Sequence, residues 1–425
     1  MAAMERYGNG ALWQWSAMAV ERYGNGALCM SDAADVPVFH VEPRGGFASR
    51  MFQYMVALKF ITLAPGCRIA NVMLAEWGIA HPPVASPGPV ADADALSEND
   101  LADLAEKARN GALRRIVYSG IDLHMANFMP AQACRNMFQS PATPPFRFGD
   151  GHLVCPLGSE AAAEETGPFH PLTPVAFFRE IIDETGLKPV FVGQAVPRPY
   201  LELLHAQFPQ AEFDASGDPF MDFLAIRQAR NIVVGVNSFA WLAAWLSQAE
   251  RIFMTVSGWF NPMQHQFVDL LPFGDPRYLF HLFPINYAVP LEHLAAAHRR
   301  IAPFWRPVSH EALQRRIKEA GRLDPTHPEI LDNFDPDFYL SSNPRLLELL
   351  GAGNVEGARQ HYLLLGVRGH FLPFRLTPEW YAARYPMAAF EVGQGDYANF
   401  AHHYIGVGRD RGYRPVPEPN EPWWD

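Results

Sequence analysis

The stretch that decides the fold is residues 232–248, IVVGVNSFAWLAAWLSQ. Its opening is apolar and β-branched, as in a strand buried on both faces, and a helix is predicted to start at Asn237-Ser238. Asn and Ser are good capping residues, so the free N–H groups and positive dipole end of that helix would face out of the sheet's carboxyl edge. Open α/β sheets bind ligands at that edge, and a helix N-terminus there suits a phosphate. A purely capping role for Asn237 and Ser238 is the alternative reading. Trp241 and Trp245, spaced i, i+4, fit core or domain-interface packing better than a sugar platform.

The same alternation extends to both sides. Strands are predicted over 152–155, 189–192, 211–213 and 252–256, with helices over 174–185, 197–207, 219–229 and 239–248 between them. Strands alternating with helices of this length mean a parallel sheet. Thr173-Pro174 and Asp218-Pro219 read as an N-cap followed by Pro at the first helical position, and Gly186 reads as a helix stop. Towards the N-terminus, a strand beginning near Val36 meets Gly45-Gly46 and then a long helix over 47–63. A strand over 68–73, a Pro/Ala/Ser-rich loop over 81–99, a helix over 99–110 and a strand over 114–119 follow, before an irregular proline-rich segment. In 45–50 (GGFASR) the glycines would let a ligand approach the backbone, and the GxGxxG spacing of a dinucleotide site is absent.

Composition bounds the function. A net charge of −11 argues against nucleic acid or an anionic membrane surface as the main partner. The four cysteines, Cys29, Cys67, Cys134 and Cys155, form no CxxC pair, so neither a zinc site nor a disulfide framework is indicated. The apolar runs fall short of the roughly 18 residues of a membrane span. A cytoplasmic location is expected. ERYGNGAL occurs at 5–12 and again at 21–28, and residues 1–35 read as a mobile leader.

Beyond residue 303 the pattern turns helical, and from 334 it repeats. Tyr339 matches Tyr381, Pro344 matches Pro386, His361-Tyr362 matches His403-Tyr404, and Gly366 matches Gly408, each offset by 42 residues. The recurring Tyr, Trp and His are expected to form this module's own small core, with carbohydrate or partner docking as the minor reading. The expected organisation is a leader (1–35), an acceptor-side α/β domain (36–145), a donor-side α/β domain (146–305), a helical linker (306–333) and a helical module of two repeats (334–425). Truncation before Asp332 is expected to leave a soluble, folded core.

Read together, these pieces resemble a known family. GGFASRMFQYMVALKF (45–60) is similar to the GGLGNQMFQYAFALAL-type opening of the bacterial α-1,2-fucosyltransferases, with Gly45, Gly46, Met51, Phe52, Gln53, Tyr54 and Ala57 matching. Residues 217–248 resemble that family's DxxxDLxLMSxCKHxIISNSSFSWWAAWL segment through Asp218, Asp222, Ile232, Ser238, Phe239, Trp241, Ala243, Ala244, Trp245 and Leu246. Gly258-Trp259-Phe260 echoes a later tryptophan-phenylalanine pair, and order and spacing agree over 36–262. The C-terminal repeat resembles a module appended to bacterial glycosyltransferases.

The resemblance implies an α/β fold, a GT-B-like pair of Rossmann-type domains with a nucleotide-sugar pocket between them. It implies an inverting, metal-independent hexosyltransferase with no cofactor, moving fucose from GDP-fucose onto a bacterial surface glycan. Gly45, Gly46, Asp222, Asn237, Ser238 and Phe239 are the candidate donor-binding residues. One departure is plain: where the family has a His-x-Arg-x-Gly-Asp type motif, this chain has LVCPLGSE (153–160). In the resembled enzymes that arginine is expected to neutralise the diphosphate leaving group. Arg50 and Arg135 are the candidate substitutes. Loss of the motif keeps two alternatives open, a non-catalytic sugar-nucleotide or glycan-binding scaffold and a transferase with another donor. Candidates for a general base are His124, Asp122, Glu160 and His170, all in loops.

Overall fold

The computed structural model describes residues 36–85, 88–94, 96–145, 147–158, 169–193, 196–264, 268–285, 293–321, 328–367, 371–419 and 421. The expected leader and Glu160 lie outside these residues. The chain divides into two compact units, Met1–Pro141 and Ala142–Asp425.

In the first unit, strand β1 (Val38–Val41) leads through the glycine turn into helix α1 (Phe47–Leu63). A four-stranded parallel sheet follows in the order β2 (Arg68–Ala70), β1, β6 (Arg115–Tyr118), β5 (Val90–Ala93). Phe39 of β1 packs on Phe60 of α1 and on Tyr118 of β6, with ring centroids 4.6 and 5.6 Å apart. Two expectations are corrected here. The strand predicted over 68–73 breaks at Asn71, whose φ of 60° turns the chain into a separate hairpin of β3 (Val72–Leu74) and β4 (Ile79–His81). The loop predicted over 81–99 contains β5, an edge strand with half its residues exposed and therefore a weak apolar pattern. Helix α2 (Glu98–Arg109) closes the sheet behind a Ser97–Asp100 capping box.

The second unit holds a seven-stranded sheet. Strands β7 (His152–Gly158), β8 (Lys188–Gly193), β9 (Glu212–Asp214), β10 (Asn231–Val234), β11 (Arg251–Val256), β12 (Tyr278–Leu282) and β13 (Arg306–Val308) lie in the order β13-β12-β11-β10-β7-β8-β9. The six before β13 are mutually parallel and read 3-2-1-4-5-6 across the sheet, the doubly wound order of a Rossmann fold. Helices α4 (Val175–Thr185), α5 (Arg198–Gln207), α6 (Pro219–Arg227) and α7 (Ser238–Trp245) connect its strands, after α3 (Ala131–Met137) of the first unit. Asp218 caps α6 through the Phe220 N–H at 2.9 Å with Pro219 at the first turn, and Gly186 ends α4 at φ 67°, as predicted. Thr173 does not cap α4. Pro174 occupies that position and Thr173 packs elsewhere.

Residues 306–308, within the stretch expected to be helical linker, pair antiparallel with β12 instead. The helical repeat belongs to the same compact unit as this sheet. Its first copy is α11 (Pro336–Ser341), α12 (Pro344–Leu350) and α13 (Val355–His361), following α8 (Leu294–Ile301), α9 (His310–Ala320) and α10 (Pro328–Asp332); the second is α14 (Pro378–Arg384), α15 (Pro386–Gly393) and α16 (Phe400–His403). The two copies share their closures: Tyr339 Oη lies 2.8 Å from His361 Nδ1, and Tyr381 Oη lies 3.0 Å from His403 Nδ1. Among the described residues no helix is long and apolar enough to cross a membrane.

Candidate functional site

In the second unit the strand order reverses between β7 and β10, so the crevice outside their carboxyl ends is where an open α/β sheet of this order takes a ligand. The Asn237-Ser238 turn stands at that point. Asn237 is extended (φ −151°, ψ 118°), and its Oδ1 accepts the Ala240 N–H at 2.9 Å, while its carbonyl accepts the first helical N–H from Trp241. Asn237 is therefore the cap of α7, and Ser238 is the first helical residue, half-buried. The N–H groups of Ser238 and Phe239 open the helix.

The other donor-side candidates divide by what their side chains touch. Phe239 is in the core, edge-on to Phe223 at 5.4 Å, so only its backbone belongs to the turn. Asp222 is buried; its Oδ1 accepts from Ser216 N at 2.9 Å and Ser216 Oγ at 2.6 Å, which fixes the loop between β9 and α6. Trp241 and Trp245 are buried and stacked 5.4 Å apart, with Trp241 Nε1 donating to Leu270 O at 2.7 Å, so both are core.

Residues 169–173 lie across the exits of β10 and β11. A Cβ on Gly235 would fall 2.3 Å from Thr173 Oγ1, and one on Gly258 would fall 2.4 Å from Phe169 O. Trp259 N donates to Phe169 O at 3.0 Å, and the His170 ring sits 4.9 Å from that of Trp259. These two glycines were not singled out from the sequence as contact points. Cys155 on β7 is fully buried, which pushes its thiol well above the usual range and leaves it inert.

In the first unit the glycine turn also follows a strand at its order reversal, β1 between β2 and β6. Gly45 has φ 68° and touches Ser49 closely enough that a Cβ would lie 2.7 Å from its Oγ. Gly46 stands at the N-cap of α1 without a side-chain cap. Gln53, matched in the family pattern but given no role from sequence, is buried and ties this edge together. Its Nε2 donates to Glu42 O (2.9 Å) and Gly120 O (3.0 Å), and its Oε1 accepts from Arg44 N (3.1 Å). Gln53→Leu should therefore destabilise the protein by roughly 1–3 kcal/mol, since the buried Gly120 carbonyl loses its donor, while the part-buried Glu42 O and Arg44 N can turn to water. Urea unfolding checks this; a loss under about 1 kcal/mol would mean the turn re-forms without the clamp.

Both candidate arginines have partners within the first unit. Arg50 reaches Met73 O at 3.3 Å and Glu76 Oε1 at 3.4 Å, pinning the β3–β4 hairpin to α1, and Arg135 Nη1 donates to Gln132 Oε1 at 3.2 Å. In the second unit, Arg230, Arg251 and Arg277 stand at the amino ends of β10, β11 and β12, the edge opposite Asn237.

Two of the four base candidates are brought together. After β6, Asp122 is buried, its N–H donates to Tyr118 Oη at 2.9 Å, and its Oδ1 lies 2.7 Å from His124 Nδ1. Asn127 Nδ2 donates both to Asp122 Oδ2 and to Leu96 O.

No family model matches the chain, and no curated protein matches it. Among solved structures it is similar to a mutant of Arabidopsis thaliana FUT1 in complex with GDP, with 7% identity and a TM-score of 0.37 over 58% of this chain and 74% of that one. It is also similar to the E. coli ADP-heptose lps heptosyltransferase II, with 13% identity and a TM-score of 0.30 over 58% of this chain and 90% of that one. A glycosyl transferase family 9 protein from Veillonella parvula gives 10% identity and a TM-score of 0.31 over 58% of this chain and 86% of that one. The α/β class of this chain, with a parallel sheet in the first unit and a sheet parallel but for β13 in the second, rests on its own strand orders.

Proposed function

We propose that the chain is an inverting, metal-independent glycosyltransferase of GT-B type that takes a sugar, fucose, from GDP-fucose to a bacterial surface glycan. The observation that carries this is the start of α7: a capped helix N-terminus at the switch point of a doubly wound sheet. On this reading the diphosphate lies against the Ser238 N–H and hydroxyl. The resemblance of 45–60 and 217–248 to α-1,2-fucosyltransferases supports the choice of donor.

A second reading has its own support. The exit of β7 carries no His-x-Arg motif, and Arg50 and Arg135 are engaged within the first unit. That favours a sugar-nucleotide-binding scaffold without catalysis. Calorimetry with GDP-fucose, GDP, other GDP-sugars and UDP-sugars tests both: binding without turnover supports the scaffold, and binding of none removes both.

The cap and the ligand contact separate by mutation. Asn237→Ala should cost about 0.5–2 kcal/mol of stability, because the Ala240 N–H loses its acceptor. Ser238→Ala should leave melting unchanged yet raise the donor dissociation constant at least about tenfold, since a hydrogen bond to a charged phosphate contributes ~1.5–3 kcal/mol. A Ser238→Ala protein that binds donor as before would end the assignment of this turn.

A further inference from the structure

At the exit of β11 the fold leaves two polar groups unused. Ser257, the residue after the strand, is fully buried, and its Oγ has no hydrogen-bond partner among the described residues. It stands before the short turn Gly258–Phe260 and does not cap it. Trp259 Nε1, two residues on, is also shut away from water with no partner among those residues. Nearby groups of the same kind are satisfied: Thr255 Oγ1 donates to Val234 O and Trp241 Nε1 to Leu270 O. A buried hydroxyl or indole N–H without an acceptor destabilises a fold, so such groups are few and each calls for a reason.

Their place supplies one. Strands β10 and β11 run parallel with Val234 opposite Met254, and Asn237 and Ser257 each lie three residues further on. Paired strands are about 4.8 Å apart, and one segment crosses both exits: Thr173 rests on Gly235, and Phe169 with Pro171 rests on Gly258. The inner end of that segment is fixed, because Tyr200 Oη donates to Thr173 O. Phe169 and His170, at its outer end, are exposed. The outer end can lift on the fixed one, breaking the bond from Trp259 N to Phe169 O and uncovering the exit of β11.

We propose that Ser257 and Trp259 hold the sugar of the donor, an inference that deepens the donor reading above and rests on it. With the diphosphate against Ser238, the hexose lies over the exit of β11 beneath the lifted Phe169 and His170, and accepts hydrogen bonds from Ser257 Oγ and Trp259 Nε1. Both groups donate and neither carries charge. That suits the hydroxyl and ring oxygens of a neutral sugar, whereas a phosphate is better matched by a cation. The fixed end of the segment, Thr173 on Gly235, stays in place beside the Asn237 turn.

The test compares GDP-fucose with GDP, which lacks the sugar, by calorimetry on the full chain. Ser257→Ala should raise the dissociation constant of GDP-fucose at least about fivefold and leave that of GDP at the wild-type value. Trp259→Phe, which keeps a ring and removes the N–H, should separate the two ligands in the same direction. Because the hydroxyl removed had no partner, ligand-free Ser257→Ala should melt at or above the wild-type temperature. A serine that serves only the fold would lower the melting temperature and affect both ligands alike. Equal losses for GDP and GDP-fucose, no loss for either, or a ligand-free Ser257→Ala that melts below wild type overturn the proposal. A wild-type chain that binds neither compound strikes the donor reading itself, and the proposal with it, before any variant is made.

Discussion

A chain ending at Asp332 is expected to come out aggregated or with a melting temperature many degrees below that of the full protein. The sequence suggested the opposite, because a repeat with its own aromatic core reads as a separable module. The second copy, however, is seated on the sheet. Ile285 N, just past β12, donates to Ala389 O at 3.1 Å, and Asn261 Nδ2, just past β11, donates to Gly393 O at 3.0 Å. A Cβ on Gly393 would lie 3.0 Å from Phe283 O, so α15 and the sheet approach as closely as backbones can. Arg306 of β13 bonds Gln394 and stacks over Phe390, 4.5 Å from its ring centroid. Ile285 itself lies in the repeat's buried core, which also holds Val392 and Ala388. Truncation would expose this isoleucine, at about 1.5–3 kcal/mol for such a side chain. It would also leave the buried Asn261 amide without its acceptor, at about 1–3 kcal/mol. Those terms are a large share of a typical stability of about 5–15 kcal/mol. Light scattering and thermal melting of the truncated and full chains decide it. A monomeric product melting like the parent would show that the module is an appendage.

The contrast shows what was legible. Periodicity within one segment was: β-branched runs bounded by Gly, Pro and capping residues gave most strands and helices of the second sheet, and its parallel class followed from their alternation. The 42-residue echo was also legible, and the fold explains why both copies keep a glycine. A Cβ on Gly366 or Gly408 would lie 2.2 Å from the hydroxyl of Tyr339 or Tyr381, each of which meets the histidine of its own copy. What sequence hides is contact across long separation. Strand β5 has one pairing neighbour and an exposed face, and β13 contains a proline, so neither carries a strong pattern. Gln53 sat inside a matched motif, yet its partners Glu42, Arg44 and Gly120 come from two strand exits. Asp122 and His124 are two residues apart, but only the burial of one and the orientation of the other make them a pair.

Gly258→Ala is expected to be the most damaging single substitution at the candidate donor edge. Gly258 has φ 55°, a left-handed conformation that costs an L-residue roughly 1–2 kcal/mol. The new methyl would also fall 2.4 Å from Phe169 O and 2.7 Å from Pro171 Cδ. The first of these is backbone, so no side-chain rotation relieves it, and the 169–173 segment must lift away. That breaks the 3.0 Å bond from Trp259 N to Phe169 O, stranding a backbone donor at about 1–3 kcal/mol. The total is roughly 2–5 kcal/mol of stability. Gly274→Ala is the control, because its φ of 84° carries the same conformational cost while nothing lies within 4 Å of the added Cβ. Its loss should stay near 1–2 kcal/mol, so the excess in Gly258→Ala measures the seating of the segment. The same segment packs Thr173 on Gly235, two residues before Asn237, so displacing it should also weaken GDP-fucose binding, whereas Gly274→Ala should not. Denaturant titration and calorimetry on both variants settle the matter. Equal losses in the two would mean that 169–173 does not cover the exits of β10 and β11 in solution, and the architecture assigned to this edge would have to be redrawn.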